Sequence, residues 1–481
     1  MRFTHQMLDT KVLRVSFPRL LGTLCVVALL TACAGTPQEP TEFAQSVSDT
    51  WAAENASGQP IVDAWWQRFD DPVLNALITK ADALNPTVTQ AAARMDAALA
   101  QARIAGANLY PQINADFSGS RQKASPTGPT NKTYGLSLNT SWEIDIWGRL
   151  SAQQEAARSD FVASENDLRA ARQSIAAQIT KAYFTVIEAR EQIDLSSRTV
   201  VAFEETARQT ADRSDAGIGA PNDKLLSFAN LQSATAGLAQ RRETGERVTR
   251  QLDILVRDYP DGIVSTAESL PAAPPAPPAG LPATLLERRP DIQAAMARLQ
   301  GADYRTVAAR RALLPNISLT GSYGTTSSDL GDLLSGNFSV WSIAGQLVQP
   351  IFQGGRLRAQ VKLSEAQARE AYEAYAETVL RALSEVEAAL AADAQIAARE
   401  EALRLAAQAA EESTRIALDR YSEGTDPFLV VLESQQRALD ARSAWIAARR
   451  ARLDNRIDLH LALGGGFSEP RPVTLTESNR S

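Results

Sequence analysis

The chain has little of what enzymes and nucleic-acid binders are built from. Its 481 residues include two cysteines and two histidines, and aromatics make up 6%. The two early ones, Cys25 and His5, fall in a leading segment that reads as removable, which leaves Cys33 and His460. One histidine supports neither a His-rich metal centre nor a freely placed Ser/His/Asp triad. No catalytic, cofactor-binding or metal-ligating residues are therefore assigned, and the chain is not expected to be an enzyme. Excess positive charge is also absent: 49 Lys+Arg against 56 Asp+Glu leave a formal charge of -7, so no phosphate-seeking face is advertised and nucleic acid is an unexpected partner. What is present, 44% apolar and 22% charged residues, suits a large folded body.

The apolar run at residues 20–30 is eleven residues long, too short to span a bilayer, and follows Arg2, Lys11, Arg14 and Arg19. Basic start, short apolar middle and small residues before a cut describe an export signal over residues 1–32. Its ending, Leu30-Thr31-Ala32-Cys33, resembles a bacterial lipobox. That resemblance implies acyl chains, palmitate among them, on Cys33 at the new amino terminus, and Ala34 after it implies sorting to the outer membrane. With Cys25 discarded, no pair is left for a disulfide.

The remainder is one unit written twice. Gly148-Arg149-Leu150 recurs as Gly355-Arg356-Leu357 and Gly217 recurs as Gly424, both 207 residues on, while Pro111 recurs as Pro315, 204 residues on. Between the copies, residues 271–282 are rich in Pro and Ala and read as a connector. The expected organisation is an acylated N-terminal segment and belt over 33–85, a first repeat over 86–270, the connector, a second repeat over 283–463 and a polar tail over 464–481.

Within each copy, residues 150–216 and 357–423 lack Gly and Pro altogether. Such stretches of 67 residues, if helical, reach about 100 Å at roughly 1.5 Å per residue and need partner helices alongside. Heptad stripes supply a contact face: Val361, Ala368, Tyr375, Ala382, Ala389, Ile396, Leu403 and Ala410, and in the first copy Phe161, Leu168, Ile175, Ala182 and Ala189. Their alanines predict a thin seam. A descending helix, a turn at Gly217 or Gly424 and an ascent shared by two stacked shorter helices are expected.

Two short segments per copy have period two instead. Ile113, Ala115 and Phe117 alternate with Asn114, Asp116 and Ser118; Tyr134, Leu136, Leu138, Trp142, Ile144 and Ile146 alternate with polar residues. In the second copy Ile317, Leu319 and Tyr323, then Trp341, Ile343 and Leu347, do the same. Polar segments at 121–133 and 325–337 would link each pair as outward loops. Four such strands match the weak signature of a membrane β-barrel but cannot close alone, and an open edge in lipid leaves backbone groups unsatisfied. Oligomerisation must close it.

The motifs Trp65-Trp66-Gln67-Arg68-Phe69, Asp71-Pro72, Trp142-Glu143-Ile144-Asp145-Ile146-Trp147-Gly148-Arg149, Arg288-Arg289-Pro290-Asp291 and Gln349-Pro350-Ile351-Phe352 occur in this order along the chain. With them the chain resembles the outer membrane factor, or TolC-like, family and its acylated NodT-type, OprM-like branch. The resemblance implies a mainly α fold with a membrane β-barrel portion: a tandem-repeat long α-helical barrel plus four β-strands per chain, closed as a trimeric 12-stranded barrel. It implies a passive efflux channel, a homotrimer in outer-membrane lipid working with a periplasmic adaptor (membrane fusion protein) and an inner-membrane pump of the resistance-nodulation-division (RND) class. It also implies acidic residues at a periplasmic aperture, here Asp426 and, in the first-copy turn, Asp223, and adaptor-facing tips at Arg213, Gly217, Arg420, Tyr421 and Gly424. A lipid-tethered periplasmic coiled-coil scaffold and a type I protein-secretion channel are the alternatives. Trp65 and Trp66 read as belt packing, Arg289-Pro290-Asp291 as a helix start, and His460 as a helix-surface residue.

Overall fold

The computed structural model describes residues 51–52, 64–277, 279, 282, 285–335 and 338–465; the export segment, Cys33 and most of the expected tail lie outside the described residues. A 3-10 turn, Trp65–Phe69, leads into α1 (Pro72–Leu84) and α2 (Pro86–Ala107). Strands β1 (Gln112–Lys123) and β2 (Thr130–Ile144) follow, then α3 (Arg149–Asp215) and α4 (Pro221–Leu255). The second copy runs through α5 (Pro290–Arg311), β3 (Asn316–Ser327), β4 (Ser339–Val348), α6 (Arg356–Ser422) and α7 (Phe428–Ala462).

Both expected long helices form, each of 67 residues and each starting one residue early, at Arg149 and Arg356. The duplication holds element by element. Helix α2 maps onto α5 and β1 onto β3 at the shift of 204, α3 onto α6 and α4 onto α7 at 207. The three extra residues therefore fall between β3 and α6.

Each repeat does stack a short helix on the end of an ascending one. Asn85 caps α2 by accepting from the Thr87 N–H at 2.8 Å and donates its own amide to the Leu255 carbonyl, at the end of α4, at 2.7 Å. Arg289, before α5, donates to the Ala462 carbonyl at the end of α7 at 3.2 Å. Both short helices open on a proline, Pro86 and Pro290, whose missing N–H costs a helix nothing in its first turn. Asp291 sits in that first turn as expected of an acid at a positive helix end.

The stripe residues all lie on buried or half-buried positions, and Val379 and Val386 join Tyr375, Ala382 and Ala389 at spacing 4 and 3. The predicted thin seam needs correction around the middle of α3. There Ile175, Ala176, Ala177, Ile179, Tyr183, Phe184, Val186 and Ile187 are buried over more than half of the helix's circumference, with Gln178 left exposed on the remaining side. Trp65, Trp66, Phe69, Leu74 and Ile78 cover it from the N-terminal segment, so the centre has a thick core. Asp71 explains part of this: its carboxylate accepts from the Val73 and Leu74 N–H groups, capping α1, and also from the Tyr183 hydroxyl.

His460 is not on a surface. It is buried on α7, stacked on Trp65 with ring centroids 5.4 Å apart and planes at 11°, and neither ring nitrogen has a hydrogen-bond partner. Burial first, then the nearby Arg68 and Arg456 charges, push its pKa down to about 3. The polar character of histidine gave no cue to an interior position; the packing of the Trp65 segment over α7 creates it.

Candidate functional site

The four strands form one antiparallel meander in the order β1-β2-β3-β4, so β1 and β4 are its edges. The strands run further than the sequence suggested: β1 continues to Lys123 and β2 begins at Thr130, which shortens the first loop to 124–129. The second loop is not wholly polar, since the 3-10 turn Leu330–Leu334 folds back and buries Leu333. Strand β2 ends at Ile144, short of Ile146.

Period-two alternation has its expected result. Leu138 pairs with Tyr323 and Tyr323 with Trp341, a row of large apolar side chains across three strands. The opposite face carries Asn139, Ser322 and Ser342 in the adjacent row. Asn139 donates to Asp116 at 2.6 Å, and the Ser322 and Ser342 hydroxyls lie 3.1 Å apart. The apolar face is bare: Tyr323 is 63% and Trp341 72% exposed, and Phe117, Leu138, Ile343 and Leu347 are exposed as well. A contiguous apolar surface of this kind marks a face that meets lipid or protein. Among the described residues no helix is long and apolar enough to cross a membrane.

The corner between sheet and helices is built from the Trp142–Arg149 motif. Asp145 accepts from the Leu150 and Ser151 N–H groups at 2.9 and 2.8 Å, capping α3 from outside because Gly148 has no side chain to do so. The Trp147 indole donates to the Pro315 carbonyl at 2.6 Å, and Arg311 donates to the Gly148 carbonyl at 2.8 Å. These two bonds lock the first repeat to the second. Arg149 pairs with Glu143 at 2.7 Å.

At the far end, both long helices stop in the same way. Gly217 and Gly424 have φ of 75° and 76°, and the next N–H groups, of Ile218 and Thr425, return to the Arg213 and Arg420 carbonyls at 3.0 Å. The two turns touch. Arg213 donates to the Ser422 carbonyl at 3.2 Å, and its guanidinium lies 5.1 Å from the Tyr421 ring centre. Tyr421 itself is turned inward against Phe428 and Val431, not displayed. Burial, and then the Asp223 charge, raise its hydroxyl pKa. Asp426 lies outside this cluster and pairs with Arg420 through both oxygens, at 2.9 and 3.0 Å. The cue to this partnership in the sequence is two opposite charges flanking one glycine turn. Asp223 is not its counterpart: it sits in the first turn of α4, where the shift of 207 places Val430 in the second copy.

A ribbon with one bare apolar face, standing on helices of 67 residues that each pair with shorter ones, is an architecture with a surface made to meet lipid or protein. The family model described as outer membrane efflux protein matches residues 77–255 and 281–465, and the chain belongs to that family. The outer membrane protein OprJ of Pseudomonas aeruginosa is 32% identical over 479 residues, covering 96% of this chain and 98% of that protein. A toluene efflux pump outer membrane protein, TtgC of Pseudomonas putida, is 32% identical over 445 residues, with 90% of each covered. The solved CmeC outer membrane channel of Campylobacter jejuni superposes with a TM-score of 0.84 at 28% identity, covering 91% of this chain and 96% of that one. This is a family of outer-membrane efflux channels, not of enzymes.

Proposed function

We propose that this chain forms a homotrimeric outer-membrane conduit, acylated at Cys33, through which substrates delivered by an inner-membrane RND-type pump and a periplasmic adaptor leave the cell. The single observation that carries the reading is the four-stranded sheet with one bare apolar face and two open edges. In lipid such edges are tolerable only when copies join into a closed barrel. The long helices then continue the wall into the periplasm, and the Gly217 and Gly424 turns stand at its far end, where Arg213 and Arg420 would meet the adaptor while the buried Tyr421 holds the turn from behind. Asp426 and Asp223 would line the aperture there. No chemistry is asked of the chain; the pump supplies the work and selects the cargo.

The scaffold alternative leaves the strands without a purpose, and the efflux names among the relatives favour small-molecule export over protein secretion. Purified full-length protein added to planar bilayers tests the reading: discrete, stepwise ion conductance is expected, and silent bilayers at concentrations where the protein co-fractionates with lipid would contradict it.

A further inference from the structure

Glycine inside a helix costs stability against alanine, so each one asks for a reason. Helix α4 carries two. At Gly245 the reason is packing, because a Cβ there would lie 2.8 Å from the Ile193 Cδ1. At Gly237 no such reason exists: its φ is not positive, and nothing lies within 4 Å of where a Cβ would stand. What Gly237 does is keep a wall open. It lines a cavity of about 550 Å³ whose floor is α3 and whose sides are α4 and α7.

The lining is mostly amide and hydroxyl. Gln192 and Ser196 come from α3, Asn230 and Gln240 from α4, and Gln436 and Ser443 from α7. The charged lining is one cation and one anion, Arg241 and Asp440, which offset each other. Gln192 donates to the Ser443 carbonyl at 3.0 Å and accepts from the Ser443 hydroxyl at 2.9 Å, which fixes the separation of α3 from α7. Asn230 is left over. Its amide nitrogen is shut off from solvent and has no hydrogen-bond partner, a donor that costs free energy until an acceptor arrives.

The cavity faces away from the stretch 264–270 that wraps α3. Arg190 donates to the Thr266 hydroxyl and the Val264 carbonyl, and Gln192, two residues later, points roughly 200° around the helix from it.

We infer that this cavity is a binding site for an uncharged molecule rich in hydroxyl and amide groups, with the size and chemistry of an N-acetylated disaccharide. Amides and hydroxyls both donate and accept, so they satisfy a ligand that does the same. A ligand of either charge finds no unopposed partner there. Phe203 and Leu439, also in the lining, suit the C–H faces of a sugar ring. Resting on the proposed conduit, the face away from 264–270 is the lumen and the ligand is a molecule in transit; binding itself needs only the folded chain.

Saturation-transfer NMR on the full-length protein in lipid nanodiscs, free of sugar-headed detergent, tests the site with N,N′-diacetylchitobiose as the probe. The unaltered protein should bind it, and should bind the same disaccharide without its acetyl groups, which carries two ammonium groups in place of two amides, about tenfold or more weakly. Gly237→Leu should abolish binding by filling the cavity, with a melting temperature no lower than that of the unaltered protein, since a good helix former replaces glycine in open space. Asn230→Ala removes the unpartnered amide and should weaken binding about fivefold or more. No transfer to the probe from the unaltered protein, undiminished transfer from either variant, or preference for the charged disaccharide would each overturn the site. Retained binding by protein that leaves planar bilayers silent would support the site and overturn its role in transit.

Discussion

Arg420 holds Asp426 with both carboxylate oxygens across the turn at Gly424, so the acid proposed to line the aperture carries its own counter-charge in this conformation. An acid without a partner would act as a bare cation site. A paired one makes the local field depend on whether the turn is intact, because any movement that parts the two exposes opposite charges together. The companion contact of Arg213 with Ser422 ties the first hairpin's turn to the second, so the two turns move as neighbours.

Replacing Asp426 with Asn therefore tests the aperture assignment. It removes the carboxylate that Arg420 holds, and because the pair stands in solvent the fold should lose little stability. Selectivity should change instead: the reversal potential in a salt gradient across planar bilayers is expected to move toward anion preference. An unaltered reversal potential would remove Asp426 from the conduction path.

The glycines at the turns and in the sheet should respond differently to alanine. Gly217 and Gly424 have positive φ but open space where a Cβ would go, so Gly217→Ala and Gly424→Ala should each cost about 1–2 kcal/mol, the strain of a left-handed residue alone. At Gly324 a Cβ would lie 2.2 Å from the Leu136 carbonyl oxygen and 2.7 Å from the Ser137 Cα, both backbone of the paired strand. Gly324→Ala should part β2 from β3 and abolish assembly, read as loss of protein from the outer-membrane fraction while both turn variants are retained.

Burial of neutral His460 makes the protein acid-sensitive. Its folded pKa of about 3 lies below the unfolded value of about 6.5, so the unfolded chain binds the extra proton first. The stability this group contributes is complete above pH 6.5 and is lost as pH falls toward 3, by about 1.4 kcal/mol per pH unit. His460→Phe, which keeps a ring against Trp65, should flatten that dependence. The check is the melting temperature of both proteins between pH 7 and pH 4.5; parallel curves would show that His460 does not titrate on unfolding.

The contrast between His460 and the long helices shows what could be read in the sequence. Absence of Gly and Pro over 67 residues, and glycine where a reversal needs positive φ, set the ends of α3 and α6 to within one residue. These are properties of the local chain. Alternation likewise placed Tyr323 and Trp341 on one face, because pleat geometry requires it. The thick core at Tyr183 and Phe184 depends on the Trp65 segment, more than a hundred residues away, folding over α3, and no local pattern encodes that return. The same holds for the Trp147 bond to Pro315 and for the inward turn of Tyr421. The acid at 426 was visible, and its pairing with Arg420 needed the turn geometry.

The central claim is that the bare apolar ribbon is completed only by other copies of itself. Light scattering of the full-length protein in detergent, corrected for bound detergent, measures this directly. The account predicts one species containing three chains, in detergent and in lipid nanodiscs alike. A single-chain particle that stays dispersed in detergent-free buffer would contradict it.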